Sequence, residues 1–244
     1  MEKKIFTVAI IGCGGRGAET YGSLCNGMKD KFDVVSLCDL SKEKLAKYGK
    51  RFGVKDEMLF TDEGKFFEQK RADILVIATL DKDHIRQAVK GLELGYDLLL
   101  EKPITDKIKE CKLILDAQKK YGGKVLVCHV LRYAPAFMKA AELLDKGEIG
   151  KLVAIQALEQ VEYAHQAHSY VRGNWRRKED TSAMIIAKCC HDLDLLQFYA
   201  KSKCKDISSI GELAYFKPEN KPEGAADRCV NCKYKDTAHT VRRK

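Results

Sequence analysis

The stretch Ala187-Lys188-Cys189-Cys190-His191-Asp192-Leu193-Asp194-Leu195-Leu196 sets an amine, two thiols, an imidazole and two carboxylates within ten residues. Four kinds of chemistry compete for it. Thiolate and imidazole ligands can hold a metal, a thiolate can attack carbon, and an imidazole can pass a proton to or from a hydroxyl. The fourth reading is structural: Lys188 and Asp192 form an i,i+4 ion pair, His191 is a half-buried hydrogen-bonded ring, and both cysteines fill the core.

A second constellation lies near the start of the chain. The run "FTVAIIGCGGRGAET" is an apolar strand followed by the loop Gly12-Cys13-Gly14-Gly15-Arg16-Gly17 and the start of a helix. In such a loop Gly12 allows the tight turn and Gly14 lets the backbone approach a pyrophosphate. Gly17 lets helix and strand pack closely. The helix N-terminus adds free amides and the positive end of its dipole. Asp39 follows the next apolar run, about 20 residues on, where an acid receives the ribose hydroxyls of a dinucleotide. Its charge repels a 2′-phosphate, so NAD is the expected cofactor. Lys42 and Lys44 soften that preference and leave NADP possible.

Weaker candidates are scattered. His129, His165, His168 and Trp175 have the side chains of a sugar pocket. Arg132 and Tyr133 follow the run "KVLVCHV" and are candidate substrate contacts. Cys229-x-x-Cys232 resembles half of a zinc knuckle, with Cys204 and His239 as possible partners. That spacing is not a recognised four-ligand set, so no metal is expected.

These groups need elements to hold them. From Ile5 to about Val127, short continuously apolar runs ("IFTVAII", "FDVVSLC", "DILVIAT", "DLLLEKP", "KVLVC") alternate with amphipathic segments. The runs read as strands buried on both faces. The segments between read as helices closed by Gly53, Gly95 and Gly122-Gly123. Strand–helix alternation implies an α/β fold, a parallel sheet with helices on both faces. After about Val127 the rhythm changes. A helix runs from Pro135 to Lys146, a long strand is expected over "KLVAIQALEQVEY", a helix from Ser182 to Tyr199, and another strand over "ISSIGELAYF". The expected division is a dinucleotide-binding domain over 1–127, a substrate-binding and dimerisation domain over 128–217, and an irregular tail over 218–244.

The formal net charge is +9, but lysines alternate with acids as on solvated helix faces, so nucleic acid is an unexpected partner. No apolar run reaches the roughly 18 residues of a membrane span. The opening apolar run leads into glycines, not a cleavage site, so no secretion signal is read there. Ten scattered cysteines fit reduced thiols in the cytoplasm.

With "GCGGRG", "IATLDKDH", "EKP" and "HDLDLL" in this order, the chain resembles the Gfo/Idh/MocA family, relatives of glucose–fructose oxidoreductase and inositol dehydrogenase. The stretch "RYAPAFMKAAELLDKGEIGKLVAI" adds to the match, and the likeness runs from Lys4 to about Phe216. The resemblance implies an N-terminal Rossmann domain and a C-terminal α/β domain with an open, mostly antiparallel sheet. It implies hydride transfer between a nicotinamide and the hydroxyl-bearing carbon of a sugar, cyclitol or derivative. Glu101-Lys102-Pro103 matches the family's Glu-Lys-Pro motif, whose lysine sits beside nicotinamide and substrate. Thr79 and His84 match the segment lining the cofactor, although Leu80 and Asp81 stand where the family has proline and asparagine. Independently of the resemblance, Lys102 follows the carboxyl end of an apolar strand, where open α/β sheets bind ligands.

Aligned on His191, the family's later aspartate is Asp194, and its earlier one falls at Ala187. Lys188, close to one turn before His191, is a replacement polar contact for substrate. Adjacent Cys189 and Cys190 point about 100° apart on a helix, which disfavours closure with His191 on one ion. Proton transfer is therefore the leading reading: His191 and Lys102 share the proton of the reacting hydroxyl, with Lys188, Arg132, Tyr133 and Trp175 around the substrate. Rival readings are a glycoside hydrolase working by transient oxidation and elimination, and a non-catalytic nucleotide-binding chain. Family members are generally longer, so the chain is expected to be a fragment or a truncated product with an incomplete second sheet. A homo-oligomer is expected if that sheet is complete enough.

Overall fold

The computed structural model describes residues 4–237, which divide into two units, 1–132 and 133–244 in chain numbering. In the first unit the apolar runs form strands β1 (Phe6–Ile11), β2 (Phe32–Cys38), β4 (Ile74–Ile77), β5 (Asp97–Leu100) and β6 (Val125–Val127). A further strand, β3 (Leu59–Phe60), completes a six-stranded sheet in the order β3-β2-β1-β4-β5-β6. Every pairing is parallel. That order is the doubly wound Rossmann arrangement, with its switch point between β1 and β4.

Side chains alternate across the sheet and feed two cores. Val8 and Ile10 of β1 pack with Ala18, Leu45, Tyr48 and Phe52 on one face. Ala9 and Ile11 pack with Leu75, Ile77, Ala88, Leu92 and Ile114 on the other. The first face is covered by α1 and α2. Helix α1 opens with wide turns over Gly15–Gly22 and continues over Ser23–Gly27; its Glu19 N–H reaches back five residues to Gly14 O (3.3 Å). Helix α2 (Lys42–Phe52) is capped by the Ser41 hydroxyl, and Gly53 ends it at φ 75°. The other face is covered by α3 (Glu63–Phe66), α4 (His84–Glu93) and α5 (Ile108–Tyr121).

The second unit holds α6 (Pro135–Asp145), α7 and α8 (Met184–Ala200). Helix α7 begins at Tyr163–Gln166 and widens over Ala167–Val171. Within this unit the Tyr199 hydroxyl donates to Phe137 O at 3.1 Å, tying α8 to α6. Among the described residues the open antiparallel sheet expected here is not formed. Residues 151–162 and 207–216 carry no strand, and among the described residues no ladder pairs them. Val153 (91 % exposed) and Ile210 (103 %) show the reason: alternation marks a sheet-forming face, but a strand exists only when a partner meets its N–H and C=O groups. The tail beyond Pro218 consists of short turns as far as it is described.

Candidate active site

Strand register builds the site. Ile11 of β1 is level with Cys38 of β2 and with Ile77 of β4, and Ile77 is level with Leu100 of β5. The residues that follow these four rungs are Gly12, Asp39, Ala78-Thr79 and Glu101-Lys102, so one carboxyl edge carries them side by side. Main-chain bonds continue the alignment past the strands: Gly12 N–H to Cys38 O (2.9 Å), Ala78 N–H to Ile11 O (2.9 Å) and Glu101 N–H to Ile77 O (2.9 Å).

Two glycines are fixed by crowding. Gly12 has φ 90°, and a Cβ there would lie 2.5 Å from Ala78 O. A Cβ on Gly17 would lie 1.9 Å from Gly12 O. Gly14 differs, since a Cβ there would meet nothing within 4 Å. Its face of the loop opens onto free space beside the amides that begin α1, which have no carbonyl one turn earlier to meet. The loop therefore fits a dinucleotide pyrophosphate.

Asp39 is tied to the same loop. Its Oδ2 accepts from the Cys13 N–H at 2.8 Å and its Oδ1 from the Ser41 N–H at 2.9 Å, while Lys44 Nζ stands 3.4 Å from Oδ2. A carboxylate offers about four acceptor sites, so capacity for a ribose hydroxyl remains. Cys13 itself is turned inward: its thiol is buried in the core, and burial together with Asp39 pushes it up to about 12.

Glu101 is buried and joins three parts of the edge. Tyr21 of α1 donates its hydroxyl to Oε1 (2.6 Å), Arg16 Nε lies 3.8 Å from the same oxygen, and the Lys102 N–H donates to Oε2 (3.0 Å). Tyr21 also meets Cys128, whose thiol burial raises to about 11. Lys102 is half-buried and precedes Pro103 across a cis peptide bond. His84, a candidate cofactor contact from sequence, is 1 % exposed, with Nδ1 2.8 Å from Pro103 O and Nε2 3.3 Å from Thr79 O. It braces the Thr79 and Pro103 loops against each other from within. Thr79 is half-buried, and its hydroxyl donates to Gln87 Oε1 at 2.6 Å. Sequence reasoning missed Tyr21 and Cys128, because only the strand order brings them to Glu101.

In the second unit α8 positions Lys188 and His191. Ala187 and Leu195 are the buried residues of this helix, four residues either side of His191, so the imidazole lies on the stripe between them, half-buried. Asp192 accepts from the Cys189 thiol, which burial and Asp192 raise, and its Oδ2 is buried without a hydrogen-bond partner among the described residues. The sequence offers Asp192 only as an i,i+4 partner for Lys188, not as an acceptor for the Cys189 thiol. Trp175 is half-buried and lies 6.5 Å from Tyr170, which stacks on His165 at 6.3 Å. Arg132 is half-buried at the end of the first unit, whereas Tyr133, opening the second, is 63 % exposed. Among the described residues no three His, Cys, Asp or Glu side chains gather as metal ligands. His239 lies outside the described residues. No helix among those described is long and apolar enough to cross a membrane.

Comparison with known proteins places this geometry. Residues 6–129 match the family model described as the oxidoreductase family with an NAD-binding Rossmann fold. Residues 137–240 match the GFO/IDH/MocA C-terminal domain. The inositol 2-dehydrogenase/D-chiro-inositol 3-dehydrogenase of Lactiplantibacillus plantarum is 25 % identical over 196 residues, covering 80 % of this chain and 52 % of its own. The crystal structure of myo-inositol 2-dehydrogenase from Lactobacillus plantarum superposes with a TM-score of 0.69 at 20 % identity, covering 81 % of this chain and 57 % of its own. The WlbA dehydrogenase from Bordetella pertussis, solved with NADH and UDP-GlcNAcA, gives 0.66 at 21 % identity, with 80 % and 58 % covered. The chain spans about half the length of the curated relatives it matches. A Rossmann sheet with a dinucleotide loop at its switch point, followed by the matching C-terminal segment, makes this chain a member of the Gfo/Idh/MocA oxidoreductase family.

Proposed function

We propose that this chain serves an NAD(P)-dependent oxidoreductase that moves hydride between a nicotinamide and the hydroxyl-bearing carbon of a sugar, cyclitol or derivative. The observation that carries the reading is the in-register carboxyl edge, where a glycine cradle, an acid and Lys102 follow neighbouring rungs. When bound, the nicotinamide supplies the hydride acceptor or donor. The chain supplies the rest. Gly14 and the amides opening α1 receive the pyrophosphate, with Arg16 beside them, and Asp39 receives a ribose hydroxyl. Lys102 and His191 handle the proton of the substrate hydroxyl, and Lys188 binds a neighbouring substrate oxygen. Glu101 acts through Lys102, because it fixes the backbone that carries the amine.

The test is NADH formation across a panel of sugars and cyclitols, comparing the native chain with Lys102→Ala and His191→Ala. General acid–base groups contribute about 100-fold or more, so each variant is expected to lose at least that factor in kcat with NAD affinity within a few-fold of native. Native rates in both variants would overturn the assignment.

A further inference from the structure

The tail holds a second pair of reactive groups, neither of which is among the residues assigned to hydride chemistry. Cys229 is exposed, Cys232 is half-buried, and both are free thiols. The Cys232 N–H donates to Cys229 O at 3.1 Å, closing a four-residue turn. Such a turn brings its first and last Cα atoms within about 7 Å, overlapping the roughly 4.4–6.8 Å that a disulfide spans. The main-chain N–H groups of Ala226 and Tyr234 and the positive charges of Arg172 and Lys221 surround the Cys232 sulfur. The turn around it is pinned by Lys221 on Asp227 (2.8 Å) and by the Tyr234 hydroxyl on Glu223 O (3.0 Å). The thiolate is stabilised where it stands, and the Cys232 thiol is held below its ordinary range. Reactive thiols occupy partly exposed, electropositive positions of this kind, whereas Cys13 and Cys38 are buried and raised to about 12.

We propose that Cys229 and Cys232 form a redox-active dithiol that exchanges with small-molecule disulfides, with Cys232 as the attacking thiol and Cys229 as the resolving one. Cys232 as thiolate attacks one sulfur of a disulfide RSSR, forming a mixed disulfide and releasing RS⁻. Cys229, losing its proton to solvent, then attacks the Cys232 sulfur and releases a second RS⁻. The Cys229–Cys232 bond forms, the RSSR bond breaks, both cysteines are oxidised, and the disulfide is reduced to two thiols. A metal reading is less favoured, since the described residues supply only two ligands here.

The test equilibrates the full chain with oxidised and reduced glutathione and maps thiols by peptide mass spectrometry, using exposed Cys204 as the internal reference. The expected result is loss of two hydrogens from the peptide holding both cysteines, at least tenfold faster than Cys204 acquires glutathione. In Cys229→Ser, glutathione should stay trapped on Cys232; in Cys232→Ser, Cys229 should react no faster than Cys204. The idea fails if the pair oxidises no faster than Cys204, or if Cys232→Ser leaves the native rate. One zinc per chain, recovered with both thiols protected, would equally overturn it.

Discussion

At the scale of single residues, two glycines of one loop do different work, and substitution separates them. Gly17→Ala forces a methyl group to 1.9 Å from Gly12 O. It is expected to cost about 1–3 kcal/mol as an overpacking change, read as a lower midpoint in urea. Gly14→Ala meets no protein atom within 4 Å, so its midpoint should stay within about 0.5 kcal/mol of native. Its NAD affinity, followed by fluorescence titration, should fall at least tenfold, because the methyl group occupies the space left for phosphate. Equal affinities for native and Gly14→Ala would remove the cofactor from that face of the loop. The loop was legible in sequence because its glycines fall within six successive residues, directly after an apolar run. The Tyr21–Glu101–Arg16 cluster was not, since 80 residues separate Tyr21 from Glu101 and only the sheet joins them.

At the scale of elements, the start of β4 is fastened to β1 by a reciprocal pair. Asp73 Oδ2 accepts from the Thr7 N–H and hydroxyl, both at 2.9 Å, and the Asp73 N–H donates to Thr7 Oγ1 at 2.8 Å. The Thr7 N–H, Lys4 and the Thr7 hydroxyl hold the Asp73 carboxyl down at about 2. A depressed folded value stabilises above the unfolded value near 4, and that contribution is lost as pH falls through about 2. Asp73→Ala should therefore lower stability by about 1–3 kcal/mol at pH 7. Its difference from native should shrink between about pH 4 and about pH 2 in thermal melts; a constant difference would contradict the pairing. Among elements, the five continuously apolar runs were readable because buried parallel strands are apolar on both faces. Leu59–Phe60 was not, as two residues at the sheet edge carry no period. The expected strands after residue 150 failed for another reason: alternation records which side chains prefer a common face, and says nothing about whether a neighbour exists to complete the ladder.

For the whole molecule, backbone hydrogen bonding is concentrated in the first unit and in the helices of the second. Hydrogen exchange should follow this division. Amides of β1, β4 and α4 are expected to exchange slowly, and those of residues 151–162 and 203–216 within the dead time of a manual experiment, because no ladder holds them. Slow exchange over 151–162 would mean that those amides have found acceptors. The aligned rungs at Ile11, Cys38, Ile77 and Leu100 carry a consequence for how this gene can vary. An extra codon in the turns feeding the amino ends of the strands, such as residues 28–31 or 68–72, lengthens only a connection. The same codon inserted just after a rung pushes one wall of the crevice out of line while the other three stay put. Length changes among homologues should therefore accumulate on one rim of the sheet and be purged from the other.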